Sequence, residues 1–518
     1  MTAIPSPSGS EDGVQPNALQ VTGLGRNAGW LYLNAGTSAL GGLYLVGFSF
    51  RHLGASAYGL YVLATTVLAI FGTVDFGLRL LVIRATARDS ESFSDDERCR
   101  ARDDVEAAHA TYAVWGLAVL VATVILTLLV GLDDSHSVDA NHVPVVILLV
   151  GLSVALNLGT ASFTGIPAGR RQFHVPAIGG LIGTAVEIAV VVSTISYLHL
   201  VSLGIALLAS TIASQGYCAW WLRRREPWFR YRPRRIGWTE IRRVASFSAP
   251  LLVLSAAGQV ISATDLLVVG AVATAAAVGV YRAGSAVPSQ AMVLLCTGYD
   301  TVYPHLSGTT DRVGQESASR FLTQVSAFVA GALFATLIVL RSNVVDVVTG
   351  HTSTLGQSVL VVFCCIWLAN IPVHGLSLLL IARGRQSVFV RLVGSEAVAN
   401  IVLTVVFALA IGPIGAAYAT LFTIVVSNVL VFPHLVRHEF SEGTARRTVV
   451  QAVSAIVLGG ASAALAASLA FEFRVGWTRL LLGLCFAGVF SCGFGLALLR
   501  KSGRSILSSM LRGQRPSK

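Results

Sequence analysis

Few ionisable side chains sit inside the apolar stretches of this sequence, and those few set the chemistry it can do. Asp75 and Arg79 stand one helical turn apart, and Asp265 and Arg282 lie at similar distances from an intervening turn. A charge deep in an apolar helix costs roughly 3 kcal/mol on insertion scales, so it needs a partner or a task. Each acid can neutralise its arginine as a structural ion pair. Alternatively, Arg79 and Arg282 face a water-filled lumen and clamp a phosphate, for which the forked guanidinium is suited. Glu187 shares a helix face with Gly180, Gly183, Thr184 and Thr194, so it points at a neighbour and away from lipid. It reads equally as a coupling-ion or proton site and as a buried acid bonded to a hydroxyl.

Polar residues at helical spacing extend these positions. Asn34, Gln259 and Gln290 join them on stripes that lipid could not satisfy, which signals a cavity or a packed partner. Glu396 falls near the end of its stretch, where water reaches it. His174, His305 and His374 stand singly, as packing or interface residues. The seven cysteines show no CxxC spacing, and no HExxH, nucleotide loop or Ser/His constellation occurs. No catalytic residue, metal site or cofactor is therefore expected, and an enzyme is not the reading.

The elements that must position these residues follow from composition. Of 518 residues, 54% are hydrophobic and only 12% charged, with a mean hydropathy of +0.71. Soluble proteins carry about 25% charge, so most of this surface must face hydrocarbon. A disordered chain, a disulfide scaffold and a cytosolic enzyme are excluded. Apolar runs of about 20 residues, the length that crosses a bilayer core, number fourteen. They cover 28–50, 58–82, 110–131, 143–166, 175–196, 199–222, 247–272, 277–303, 321–341, 357–382, 388–411, 413–435, 448–471 and 478–499. With both termini cytoplasmic, 31 of the 37 Lys and Arg residues fall on the inner side and four on the outer, Arg51, Arg341, Arg474 and Arg479. Arg341, Arg391 and Arg479, at the ends of their spans, are counted with the adjoining connections, and Arg79 and Arg282, inside spans, complete the set. This is the asymmetry of a multi-pass protein of the cell (inner or plasma) membrane.

The +11 net charge is thereby a matter of topology. Its densest segment, Arg223–Arg243, interleaves nine arginines with Trp228, Phe229, Tyr231 and Trp238. Flanked by spans on both sides, it reads as an elbow on anionic membrane lipids, with no role in binding nucleic acid.

An internal repeat organises the spans. Ala55-Ser-Ala57-Tyr-Gly59-Leu-Tyr61 returns as Ala275-Ala-Ala277-Val-Gly279-Val-Tyr281, Ala168-Gly-Arg-Arg171-Gln172 as Ala382-Arg-Gly-Arg385-Gln386, and Leu203-Gly204-Ile-Ala206 as Ile414-Gly415-Ala-Ala417. Three matches in order make spans 1–6 and 7–12 copies of one unit, parallel because six is even. The expected fold is an all-α polytopic membrane protein of about 14 transmembrane helices, in two parallel-repeat six-helix lobes plus two C-terminal helices. Its expected divisions are a disordered cytoplasmic tail (1–25), the N-lobe (26–222), a basic linker (223–246), the C-lobe (247–437), spans 13 and 14 (438–499) and a basic cytoplasmic tail (500–518). The polar stripes fall on spans 1 and 2 and on their counterparts 7 and 8.

The run Leu53-Gly-Ala-Ser-Ala-Tyr-Gly-Leu-Tyr61 with Asp75-Phe-Gly-Leu78 resembles the opening of Wzx-type oligosaccharide flippases, in the polysaccharide-transport branch of the MATE/flippase (MOP) superfamily. Asp265-Leu-Leu-Val-Val-Gly270, Gly279-Val-Tyr281 and Tyr303-Pro304 resemble the start of that family's second half. The resemblance implies a V-shaped pair of lobes with helices 1, 2, 7 and 8 lining the cavity. It further implies flipping of a polyprenyl-pyrophosphate-linked oligosaccharide to the outer leaflet by alternating access, for cell-surface polysaccharide biosynthesis. Arg79 and Arg282 would then contact the headgroup, with H+ or Na+ coupling and a glycan polymerase as possible partners. A lipid II flippase and a MATE-type cation-coupled drug antiporter are the alternatives; for the latter, Asp75, Asp265 and Glu187 could serve as cation sites. A membrane glycan polymerase or ligase is disfavoured, because the longest outer connections, 132–142 and 342–356, leave no room for a catalytic domain.

Overall fold

The computed structural model describes residues 19–72, 78–88, 94–131, 142–229, 256–307, 312–383, 385–436, 438–441 and 443–469. Span 14, most of the basic linker, the C-terminal tail and Asp75 lie outside the described residues. The helices are α1 (Leu19–Gly72), α2 (Leu78–Arg88), α3 (Asp95–Gly131), α4 (Val143–Gly159), α5 (Ser162–Gly169), α6 (His174–Leu198) and α7 (Leu200–Arg225). They continue as α8 (Ala256–Val272), α9 (Ala275–Ser307), α10 (Arg312–Val339), α11 (Arg341–Thr349), α12 (Thr354–Ala382), α13 (Gln386–Ile411), α14 (Ile414–Val425), α15 (Phe432–Leu435) and α16 (Thr444–Leu469).

Ten helical stretches among the described residues are long and apolar enough to cross a membrane. One of them, Gly29–Gly72, has 44 residues and would extend about 66 Å if straight, twice the roughly 30 Å of a bilayer core. The chain divides it at Gly54, whose φ of 81° and ψ of 170° fall outside the helical region. Only glycine takes that conformation at little cost, so spans 1 and 2 are the two arms of α1. Phe50 and Tyr58 close the turn with an edge-on ring contact at 5.8 Å. Exposed apolar side chains, among them Leu40, Val114, Leu117, Leu128 and Leu409, give the helices surfaces suited to hydrocarbon.

The packing repeats as the sequence does. Helix α6 packs on α7 as α13 packs on α14, α3 on α4 as α10 on α12, and α4 on α7 as α12 on α14. Both hairpins turn through a positive-φ residue at corresponding places, His199 (φ 44°) and Gly412 (φ 78°). The halves meet where α1 runs along α9. A core of buried residues joins them at the Gly54 end, with Phe50, Tyr58 and Val62 from one half and Val278, Tyr281 and Val359 from the other. Span 13, α16, docks on α10 through close backbone approach: a side-chain carbon at Gly331 would strike the Ile456 carbonyl, and one at Gly459 that of Phe328. Small residues allow this where no hydrophobic driving force operates.

Two segments differ from the sequence expectation. The connection 342–356 folds as α11, whose buried Val344, Val345 and Val348 make one apolar face. Arg51 donates to the Val347 carbonyl and Gly47 abuts Val348, so α11 packs against α1 across the halves. Span 2 is helical up to Gly72, and the next described stretch, from Leu78, is α2, packed on α3 and α5. Helix α1 is also already formed at Leu19, the first described residue, inside the stretch expected as tail.

Candidate functional site

Helices α8, α9, α12, α13 and α14, all from the second half, enclose a cavity of about 320 Å³. Local structure explains why polar groups reach it. The last turns of span 12 widen into a π-helical segment, Val426–Val431, which carries Ser427 and Asn428. Such widened turns recur at functional sites because they re-aim side chains. Asn428 lines the cavity while its Nδ2 donates to the Ala369 carbonyl at 3.2 Å. Ser427 donates to Glu396 Oε2 at 2.9 Å, and Glu396 also lines the cavity.

Asp265 sits in the wall and is 3% exposed. Its Oδ2 accepts from the Tyr281 hydroxyl and its Oδ1 from that of Thr420, each at 2.8 Å, and Asn400 Nδ2 donates to Thr420 at 2.8 Å behind them. A buried carboxylate needs such donors, since desolvation without them costs several kcal/mol. Arg282 follows Tyr281 on α9 and lines the same cavity, half-buried. Tyr58 and Tyr61 of α1 lie within its electrostatic range, so it stands at the seam between the halves. Its guanidinium has no ion pair or hydrogen bond among the described residues, Asp265 included.

The remaining candidates are dispersed. Glu187 faces Ser210 of α7 and is within electrostatic range of Tyr61. Gln290 reaches α1 beside Gly42, and Asn34 lies against Gly180 of α6. Gln259 is half-buried on α8 next to the lining residue Gly258. Arg79 is exposed on α2 and does not line the cavity. Sequence reasoning missed Thr420, Asn400 and Asn428, and gave Glu396 to solvent and His374 to packing, whereas both line the cavity. Thr and Asn inside apolar runs carry no distinctive spacing; the one available signal was the number of them on spans 11 and 12. No group of three or more His, Cys, Asp or Glu suited to a metal ion occurs among the described residues.

The helical fold is found in solved structures. The lipid II flippase MurJ in an inward closed conformation aligns with a TM-score of 0.60 at 13% identity, covering 93% of this chain and all of that one. A multidrug resistance MATE family transporter of the MOP superfamily aligns in its inward-facing form with a TM-score of 0.61 at 10% identity, over 80% of this chain and 96% of that one. Its outward-facing form gives 0.59 at 13% identity, over 83% and 96%. No curated protein sequence matches the chain. The family described as polysaccharide biosynthesis protein matches residues 24–310, more than half the length. The chain is therefore a multi-pass membrane protein with the MurJ/MATE fold, and it belongs to the polysaccharide biosynthesis protein family.

Proposed function

We propose that this protein is a transporter that moves a polyprenyl-pyrophosphate-linked oligosaccharide from the cytoplasmic to the outer leaflet by alternating access, as the Wzx-type branch does. The observation that carries the reading is Arg282. A half-buried guanidinium inside a span, at the seam of two lobes and with no ion pair among the described residues, is a poor structural element. It is a good ligand for a phosphate oxygen crossing the membrane. The family match to polysaccharide biosynthesis supports a glycan cargo, and the short outer connections support transport over catalysis. The alternation of basic residues supports a cell-membrane location with cytoplasmic termini. The arginine-rich linker suits anionic lipids, and a glycan polymerase is the expected acceptor of the flipped product.

The test is reconstitution into liposomes with a fluorescent short-chain polyprenyl-pyrophosphate disaccharide, reading its exposure on each leaflet. Arg282→Ala should slow flipping by about tenfold or more, the worth of a charge-assisted hydrogen bond, and Arg282→Lys should restore part of it. Full activity in the alanine variant removes the phosphate clamp. The specific observation favouring a cation antiporter is Asp265, a buried acid on the cavity wall; accumulation of cationic dyes driven by an ion gradient, with no lipid flipping, would establish that reading.

A further inference from the structure

We propose that the second-half cavity is a sugar pocket, which takes the ring next to the pyrophosphate while Arg282 holds a phosphate oxygen at its edge. This rests on the flippase reading above and adds what the cargo must carry. At about 320 Å³ the cavity lies at the lower end of ligand pockets, about 300–1,000 Å³, so it admits one ring and excludes a folded glycan. A sugar ring presents apolar C–H faces and a rim of hydroxyls. It is recognised by aromatic walls together with planar amides and carboxylates.

The lining has both. Phe363 and Trp367 stand one helical turn apart on α12, and the Tyr281 ring meets Phe363 edge-on at 5.8 Å. The rim carries Asn370, which makes no hydrogen bond among the described residues, and Glu396, whose second carboxylate oxygen has no donor among them. The Trp367 Nε1 is buried with no acceptor in the same set. Unused donors and acceptors beside aromatic faces fit a hydroxylated ring. A polyprenyl tail would leave these groups unpaired, and a lipophilic cation would meet Arg282.

The experiment is equilibrium binding to the full-length protein in nanodiscs. The two radiolabelled probes are farnesyl pyrophosphate and the same lipid carrying one N-acetylhexosamine. The wild-type protein should bind the glycosylated probe about three- to tenfold tighter, the worth of one or two hydrogen bonds. Asn370→Ala and Trp367→Ala should each erase that preference and leave the bare pyrophosphate unaffected. Asn370→Ala removes only an amide from a cavity wall, so it keeps the test valid if the tryptophan variant misfolds. Arg282→Ala should weaken both probes alike, which reports on the flippase reading alone. Equal binding of the two probes by the wild-type protein overturns the sugar pocket and leaves that reading standing. Tetraphenylphosphonium binding that is lost in Asn370→Ala, without any sugar preference, overturns it in favour of a cation site. Failure of the wild type to bind either probe removes the flippase reading and the pocket with it.

Discussion

Gly59 and Gly279 pack against each other's helices in a reciprocal contact: a side-chain carbon at Gly59 would collide with the Ala275 carbonyl, and one at Gly279 with the Ala55 carbonyl. The four residues occupy equivalent places in the two repeats, Ala55 with Ala275 and Gly59 with Gly279. Two copies of one motif thus touch each other across a pseudo-two-fold axis. The contact lies at the Gly54 end of the spans, which the basic-residue alternation assigns to the outer face. Backbone approaches backbone there because neither position has a side chain to hold the helices apart. The two halves therefore meet at this end with the least bulk available.

A bulkier residue at either position should open that end. Gly59→Leu and Gly279→Leu each force overpacking at about 1–3 kcal/mol, enough to shift a two-state equilibrium by one or two orders of magnitude. The check is a cysteine at the buried Ala57, in a background lacking the native cysteines, labelled from outside with an impermeant thiol reagent. Labelling should rise at least about tenfold in both leucine variants, and by similar amounts. A strong effect from only one would mean that the contact is not symmetric in function.

Paired arginines hold the opposite ends of the spans. Arg170, just beyond α5, makes a two-pronged pair with Glu226 after span 6, at 2.9 and 3.1 Å. Arg383, just beyond α12, donates to Glu316 at 3.2 Å, to Gln315 at 3.1 Å and to the Glu439 carbonyl at 3.1 Å, and it lies over the Phe440 ring. Both tie the end of the fourth span of a half to the segment after its sixth. Breaking a largely buried pair leaves the other charge stranded, at about 3–5 kcal/mol. Arg383→Ala should therefore lower the melting temperature in detergent more than Arg170→Ala, whose side chain is 23% exposed against 12%. Arg383→Lys should recover little, since one ammonium cannot serve diverging acceptors. An unchanged melting curve for Arg383→Ala would show that the clasp carries no stability.

These arginines also mark what the sequence made legible. The repeats, the spans and the outward apolar faces follow from periodicity and hydropathy, which act over 20 residues at a time. Arg170 and Arg383 were visible within matched motifs, but their acids lie 56 and 67 residues away, and no local pattern links such distances. Arg79 shows a different limit. Periodicity put it on a polar stripe of span 2, yet its side chain is exposed on α2 and lines no part of the cavity, because spacing alone does not say which face of a helix meets a lumen. Glu396 was given to solvent by its nearness to a helix end, yet the π-helical turn of span 12 presents Ser427 to it. Helix α11 was hidden because nine residues are too few for a span and too polar on average to look like core.

The orientation can be tested separately from transport. Fusion of a fluorescent protein to either terminus should give folded, bright product, and alkaline phosphatase at the same positions should stay inactive. Phosphatase joined within 342–356 should be active, because that connection lies on the side with few basic residues. Active phosphatase at one terminus only would require an odd number of spans.

The coupling ion is expected at Asp265. Glu187 and Asp265 are both acids within spans, but their surroundings differ in kind. Glu187 faces a single hydroxyl, that of Ser210, between α6 and α7 of the first half. Asp265 is held by Tyr281 and Thr420 and borders a cavity that also contains Arg282. An ion or proton taken up at Asp265 alters the charge balance around the group proposed to hold the phosphate, whereas one at Glu187 reaches Arg282 only through Tyr61. Asp265→Asn keeps the size of the side chain and removes its charge. It should abolish the response of flipping to an imposed proton or sodium gradient, a loss of about 5- to 150-fold for typical coupling energies, while exchange without a gradient persists. Glu187→Gln should keep the gradient response within about twofold, less than 0.5 kcal/mol of coupling. The reverse result, with Glu187→Gln uncoupled and Asp265→Asn normal, would place the coupling ion in the first half. It would then leave Asp265 as a structural acid, tying α8 to α9 and α14.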